Sequence, residues 1–174
     1  NAWLIGQCDV SIRPGWFYHA EQDSLVKTPH QLVDLYYKSV GRNGVLLLNL
    51  PPDRRGLIHE QDVQSLKKFK SAIDATFRVN LALDKIASMT VLDTSYRYTI
   101  KEVTDGSTAT YWSPALGAHN GELIIDLGES MSFDRIMLQE PIFLGQSINH
   151  FELYIRNTDT GWSAIASGTT IGYK

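Results

Sequence analysis

Between residues 27 and 77 apolar positions recur twice at helical spacing, with an unbroken apolar run between the two stretches. The first stretch, 27–41, has a readable start. Thr28 suits an N-cap, Pro29 the first helical position, and Gln31 can close a capping box back onto Thr28. Leu32, Leu35, Tyr36 and Val40 then recur at helical spacing, and Gly41 is expected to supply the stop. Val45 to Leu50 is apolar throughout and ends in Pro51-Pro52, the pattern of a strand buried on both faces of a helix-covered parallel sheet. Residues 59–77 predict a second amphipathic helix, with Val63, Leu66, Phe69, Ile73 and Phe77 on one face. Ahead of these, the run from Gln7 begins as a strand and breaks at Pro14-Gly15. It delivers Trp16, Phe17, Tyr18 and His19 into the following loop. The order strand, helix, strand, helix is the repeat of a (β/α) barrel or a doubly wound sheet. Two such units alone leave open strand edges and half-covered faces, so more strands are expected upstream.

Asn80 to Ser88 reads as a connector, and the pattern then changes. Short β-prone runs follow at Tyr96–Ile100, Glu122–Leu127, Arg135–Gln139, Phe151–Ile155 and Trp162–Ala166. Turn signals at Asp105-Gly106, Asn120-Gly121 and Asp159-Thr-Gly161 separate them, which argues for a β-sandwich. The expected fold class is therefore α/β followed by all-β. Residues 1–79 form the first part, 80–88 the connector and 89–174 the second. Ala2-Trp3-Leu4-Ile5 reads as the inside of a strand and Ile171-Gly172-Tyr173-Lys174 as another. The expectation is an interior piece of a longer polypeptide, with the remainder upstream and downstream.

At 174 residues the chain can bury a sizeable core, in one domain or two small ones. Its 43% apolar and 20% charged residues are ordinary for a globular protein. A formal charge of -3 gives no electrostatic reason to expect nucleic acid or an anionic membrane as partner. No apolar run approaches the roughly 18 residues that span a bilayer. Cys8 is the only cysteine, so no intrachain disulfide can form.

Two motifs carry the candidate chemistry. One is Gln7-Cys-Asp-Val-Ser-Ile-Arg-Pro-Gly-Trp-Phe-Tyr-His19. The other is Ser39-Val-Gly-Arg-Asn-Gly-Val-Leu-Leu-Leu-Asn-Leu-Pro-Pro-Asp-Arg-Arg-Gly-Leu-Ile58. In this order and at this spacing they resemble the closing strands of the catalytic barrel of family 29 α-L-fucosidases, over most of residues 1–85. Asp105-Gly-Ser-Thr-Ala-Thr-Tyr-Trp112, Leu123-Ile-Ile-Asp-Leu-Gly128, Leu144-Gly-Gln146 and Gly168-Thr-Thr-Ile-Gly-Tyr-Lys174 resemble the discoidin-like (galactose-binding-like) sandwich that follows the barrel in many of these enzymes. The resemblance implies the end of a (β/α)8-type barrel plus the start of such a sandwich. A complete sandwich of that type would continue past Lys174.

It also implies a glycoside hydrolase that cleaves α-L-fucosides with retention. Retention needs two carboxyl groups roughly 5 Å apart, one attacking the anomeric carbon and the other working as acid and base. The family's nucleophile is an aspartate on an earlier barrel strand, outside this chain. The acid/base of one branch is a glutamate that aligns with Gln7. A glutamine amide neither gives nor takes a proton near neutral pH. Three explanations stand at this point: an engineered Glu→Gln change that traps a glycan, a natural glutamine at an inactive or rewired site, or a working carboxylate elsewhere. Asp9 is the stand-in for the last, since strand periodicity puts residues 7 and 9 on one face.

The remaining candidates each have two readings. Trp16, Phe17 and Tyr18 suit an apolar wall for a sugar face or the fucose methyl, while core packing after the Pro-Gly break is favoured for at least two of them. His19 suits a sugar hydroxyl contact or a loop hydrogen bond. Arg13 suits a carboxylate or an aglycone hydroxyl, or a structural ion pair. Asn49 lies near the C-terminal end of a barrel strand, the face where such enzymes keep their sites. Asp53-Arg54-Arg55 suits a role in shaping aglycone specificity or a solvated turn, and the turn is favoured. Asp105, Thr110 and Trp112 suit a structural calcium or a glycan surface, but a turn followed by a buried tryptophan is favoured. Calcium wants six to eight oxygens, and few are offered here. No cofactor is otherwise expected.

The resemblance thus implies a fragment of a retaining exo-α-L-fucosidase acting on fucosylated oligosaccharides, with α-1,3/1,4 linkages, in the periplasm or secreted. As written the fragment is expected to be inactive. A non-hydrolysing fucose-binding protein that kept the barrel, and a purely structural sandwich, are the competing readings.

Overall fold

The computed structural model describes residues 4–89, 99–114, 118–157 and 161–173. Its contacts divide the chain into two compact units, Ala2–Val79 with Ile171–Lys174, and Asn80–Thr170.

The first unit contains β1 (Gln7–Ser11), α1 (Pro29–Ser39), β2 (Val45–Asn49) and α2 (Glu60–Thr76). The strands pair in parallel, Gln7 opposite Val45 and Ser11 opposite Asn49. Parallel neighbours need a crossover, and α1 lies in it. The start of α1 is the capping box read from Thr28 and Gln31. Thr28 Oγ1 accepts from the Gln31 amide at 3.3 Å, and Gln31 Oε1 accepts from the Thr28 amide at 2.8 Å. Its end differs from expectation. Gly41 lies inside a 3-10 extension, Val40–Arg42, and the chain turns at Asn43 (φ 63°). Asparagine is among the few non-glycine residues that visit this left-handed region readily.

Leu46 and Leu48 face the helices. With Tyr36, Val40, Phe69 and Ile73 they line an open apolar groove of about 330 Å³. Register partners share a face of the sheet, so Gln7, Asp9, Ser11, Val45, Leu47 and Asn49 lie on the other, helix-free face. There Val45 and Leu47 are half exposed. No second layer lies over them among the described residues. Ile12 and Leu32 are wholly buried. The expected terminal strand at 171–174 is reduced, among its described residues, to an isolated bridge at Tyr173. Instead Ile171 is buried and the Tyr173 amide donates to Asn43 Oδ1 at 2.7 Å.

The second unit is built of antiparallel pairs. β3 (Ile86–Met89) pairs with β4 (Leu123–Asp126), and β5 (Phe151–Asn157) with β6 (Gly161–Gly168). Three of the expected runs therefore become β4, β5 and β6. The other two do not become strands. In Tyr96–Ile100, residues 96–98 lie outside the described residues, and Ile100 opens a 3-10 helix, Ile100–Val103. In Arg135–Gln139 only Gln139 makes an isolated bridge, because β propensity without a ladder partner does not make a strand. Conversely, β3 begins inside the stretch read as a connector. The Trp112 indole is partly buried and donates to Met89 Sδ at 2.9 Å, which fixes the tryptophan against β3.

Candidate functional site

The C-terminal ends of β1 and β2 meet the aromatic loop, and three side chains hold its backbone carbonyls. Ser11 Oγ donates to the Gly15 carbonyl at 2.7 Å. Asn49 Nδ2 donates to the Trp16 carbonyl at 2.9 Å and to Ser11 Oγ at 3.2 Å. Arg13 Nη1 lies 3.4 Å from the His19 carbonyl. Lys27 closes the far end of the loop, its amide donating to the Ile12 carbonyl at 2.9 Å and its Nζ to the Ser11 carbonyl at 2.6 Å.

Arg13 is the centre of this region and is 1% exposed. Its Nε donates to Asp62 Oδ2 at 2.9 Å and its Nη1 to Asp23 Oδ1 at 2.9 Å. Its guanidinium lies 4.7 Å from the Tyr18 ring centroid, a cation–π distance. Tyr18 also donates to Asp23 Oδ2 at 3.4 Å and packs beside His59, with ring centroids 5.9 Å apart. Burial and then the Asp23 carboxylate push the Tyr18 phenol above its ordinary value. His59 Nε2 approaches Asp23 Oδ2 at 3.4 Å. A structural ion pair, the second reading of Arg13, thus describes what its guanidinium does.

The aromatic loop departs from the core-packing expectation. Trp16 is 51% and Phe17 78% exposed, and only Tyr18 is packed. His19 is exposed, with Nδ1 3.6 Å from Glu21 Oε1.

Arg13, Trp16, Tyr18, His19 and Asn49 therefore gather around one loop, whereas Gln7 does not join them. Gln7 opens β1 opposite Val45, four residues before Ser11. At a rise of about 3.3 Å per residue it lies roughly 13 Å along the strand from the Ser11–Asn49 end. Gln7 and Asp9 are both exposed on the helix-free face.

After β2, Arg54 and Arg55 form the exposed turn that was expected, but Asp53 does not share its exposure. Asp53 is 9% exposed. It accepts from Arg55 Nη2 at 2.6 Å, Arg55 Nε at 2.9 Å and the Arg55 amide at 2.8 Å. The Arg55 guanidinium, ahead of the backbone donors, lowers its carboxyl to about 2. Arg55 also reaches Glu60 Oε1 at 2.9 Å.

In the second unit both Asp105 oxygens accept hydrogen bonds, from the Ser107 amide at 2.8 Å and Thr110 Oγ1 at 2.6 Å. That is a closed turn, and it offers a cation only one carboxylate. Among the described residues no group of three or more His, Cys, Asp or Glu side chains is arranged to hold a metal ion, and no helix is long and apolar enough to cross a membrane.

Asp62, Asp23, His59 and Ser11 were missed as participants. Asp62 lies between helix positions whose apolar pattern drew attention to Val63 and Leu66, and nothing local announces its partner 49 residues earlier. A wholly buried acid on a helix was the available anomaly, but it is visible only with the fold.

Residues 6–73 match the α-L-fucosidase family, and residues 85–174 match the F5/8 type C domain. α-L-Fucosidase 1 of Arabidopsis thaliana is 39% identical over 175 residues, covering 99% of this chain and 34% of the relative. The chain thus spans about a third of the length of the curated relatives it matches. Among solved structures, the family 29 protein SpGH29 superposes with a TM-score of 0.86 at 38% identity. That match covers 97% of this chain and 36% of the other. A Ruminococcus gnavus family 29 fucosidase in complex with fucose gives 0.87 at 33% identity, covering 99% and 35%. These likenesses run through both units and support a barrel-plus-sandwich architecture. The chain belongs to the family 29 α-L-fucosidases, with residues 85–174 an F5/8 type C domain.

Proposed function

We propose that this chain is the part of a retaining exo-α-L-fucosidase that closes the catalytic barrel and begins the sandwich. The boundary falls near residue 79. The parent polypeptide releases terminal fucose, in α-1,3/1,4 linkage, from oligosaccharides outside the cytoplasm, in the periplasm or after secretion. The observation that carries the reading is the likeness to fucosidases across 99% of the chain, at 39% identity to the Arabidopsis relative. The parallel pairing of β1 with β2 supports it, because it puts Gln7 and Asp9 on the face free of helices, the interior side of a closed barrel.

In this reading the attacking aspartate belongs to a strand upstream, and Gln7 occupies the acid/base position. Trp16 and His19 are the loop residues open to the ligand. With an amide at position 7 the leaving oxygen receives no proton from that side chain, so the chain alone releases no fucose. No cofactor takes part. The Asp105 turn falls well short of the oxygens calcium needs.

The test is an aryl fucoside assay on the full-length polypeptide with Gln7 and with Gln7→Glu. Turnover that appears or rises by several orders of magnitude with glutamate supports the acid/base assignment. Unchanged turnover, with another carboxylate carrying the pH profile, moves that role elsewhere, Asp9 first. Gln7 itself favours a second reading, a fucose-binding protein without hydrolysis. Tight fucose binding with no turnover from either form establishes that reading instead.

A further inference from the structure

We infer that Asn43-Gly44 is a latent deamidation site, kept closed by the Ser39 carbonyl and the segment Ile171–Tyr173. Asparagine is a thermolabile residue, and a following glycine leaves its side-chain amide open to attack because no Cβ stands in the way. The Gly44 nitrogen loses its proton and bonds to Asn43 Cγ. The Cγ–Nδ2 bond breaks, and ammonia leaves with that proton. Water then opens the five-membered imide. Addition at Cγ gives aspartate; addition at the backbone carbonyl gives isoaspartate, which puts one extra carbon into the main chain.

The fold blocks this route at both reacting atoms. The Gly44 amide donates to the Ser39 carbonyl at 2.8 Å, so the proton that must leave is engaged. Asn43 Oδ1 accepts from the Tyr173 amide at 2.7 Å, which pins the side-chain amide. The Gly172 backbone lies against Asn43 Cγ, so close that a Cβ on Gly172 would collide with it. Asn43 holds φ 63° and ψ 31°. Tetrahedral geometry at Cα then turns its Cβ nearly opposite the Gly44 nitrogen, whereas ring closure needs the two eclipsed.

The backbone that follows has no slack for an extra carbon. A Cβ on Gly44 would stand 3.0 Å from the Ser39 carbonyl oxygen and 3.3 Å from that of Gly6. The Val45 amide donates to the same Gly6 carbonyl at 2.9 Å, and Val45 is the register partner of Gln7. Isoaspartate formed at position 43 therefore disturbs the first pair of β1 and β2.

The test is peptide-mapping mass spectrometry of the full-length polypeptide, incubated in parallel folded and in denaturant at mildly alkaline pH. Asn43 is expected to convert to the acid at least about tenfold faster in denaturant than in the folded protein, since the reaction needs the opened state. Tyr173→Pro removes the N–H that pins Asn43, and Gly172→Ala displaces its side chain. Each is expected to speed conversion in the folded protein several-fold, after correction for the variant's unfolded fraction, and to leave the rate in denaturant unchanged. Equal rates in folded and denatured protein overturn the inference. An unchanged folded-state rate in both variants overturns it as well. If Tyr173→Pro does not fold, Gly172→Ala decides alone. In the isoaspartate-bearing fraction the Val45 amide is expected to exchange its hydrogen faster, and unchanged exchange overturns the effect on register.

Discussion

Arg13 and Asp62 form a hydrogen-bonded ion pair at 2.9 Å in which both side chains are wholly buried. It joins the loop after β1 to the first turn of α2, two segments that share no local sequence signal. Breaking a buried pair by removing one partner leaves an uncompensated charge, which costs about 3–5 kcal/mol. Asp62→Ala is expected to lose stability on that scale in urea unfolding. Replacing both partners, as in Arg13→Met with Asp62→Leu, should recover most of the loss. A single change costing under about 1 kcal/mol would contradict the burial argument.

The Asp53 carboxyl, held at about 2 by Arg55, makes the loop after β2 acid-sensitive. Its folded value lies below the ordinary aspartate value of about 3.9. The stabilisation is therefore complete above about pH 4 and is lost as pH falls towards 2. Urea midpoints between pH 5 and 2 should drop less steeply for Asp53→Asn than for the unmodified chain. Identical slopes would remove Asp53 from the acid response.

Gly172 adopts φ 58°, and a Cβ there would collide with the Asn43 side chain. Gly172→Ala thus combines a left-handed backbone penalty with a clash, expected to cost roughly 1–3 kcal/mol by thermal unfolding. Asn43→Gly removes the obstacle and keeps the turn at position 43. The double variant should lose less than the sum of the two single losses.

Glu140 is 3% exposed, and its Oε1 accepts from the Ser147 and Ile148 amides at 2.6 and 3.0 Å. Glu140→Ala should destabilise by roughly 1–3 kcal/mol. Glu140→Gln, which keeps an acceptor oxygen, should cost less. Equal losses in denaturant titrations would show that the bonds to 147 and 148 carry little of the effect.

What was legible in the sequence was what is set locally. Thr28, Pro29 and Gln31 specify the start of α1 within four residues, and the apolar run at Val45 announces β2. β3 was not legible, because four residues at Ile86–Met89 are a strand only through a partner beginning at Leu123. Arg135–Gln139 shows the converse, β-prone residues without a ladder. The site divides the same way. Trp16 and Asn49 were found from the motif, while Asp62 and Asp23 act through Arg13 and belong to no local pattern. The ties of the Gly15 and Trp16 carbonyls to Ser11 and Asn49 are side-chain contacts across the fold, which propensity does not encode.

The bond from the Tyr173 amide to Asn43, with Ile171 buried beside it, places the last described residues among the first seventy-nine. One cut in the polypeptide therefore cannot release the helical half intact. A gene trimmed at the junction near residue 79 would encode a product lacking its own closing patch, with Asn43 stripped of its ligand and the Ile171 socket opened to water.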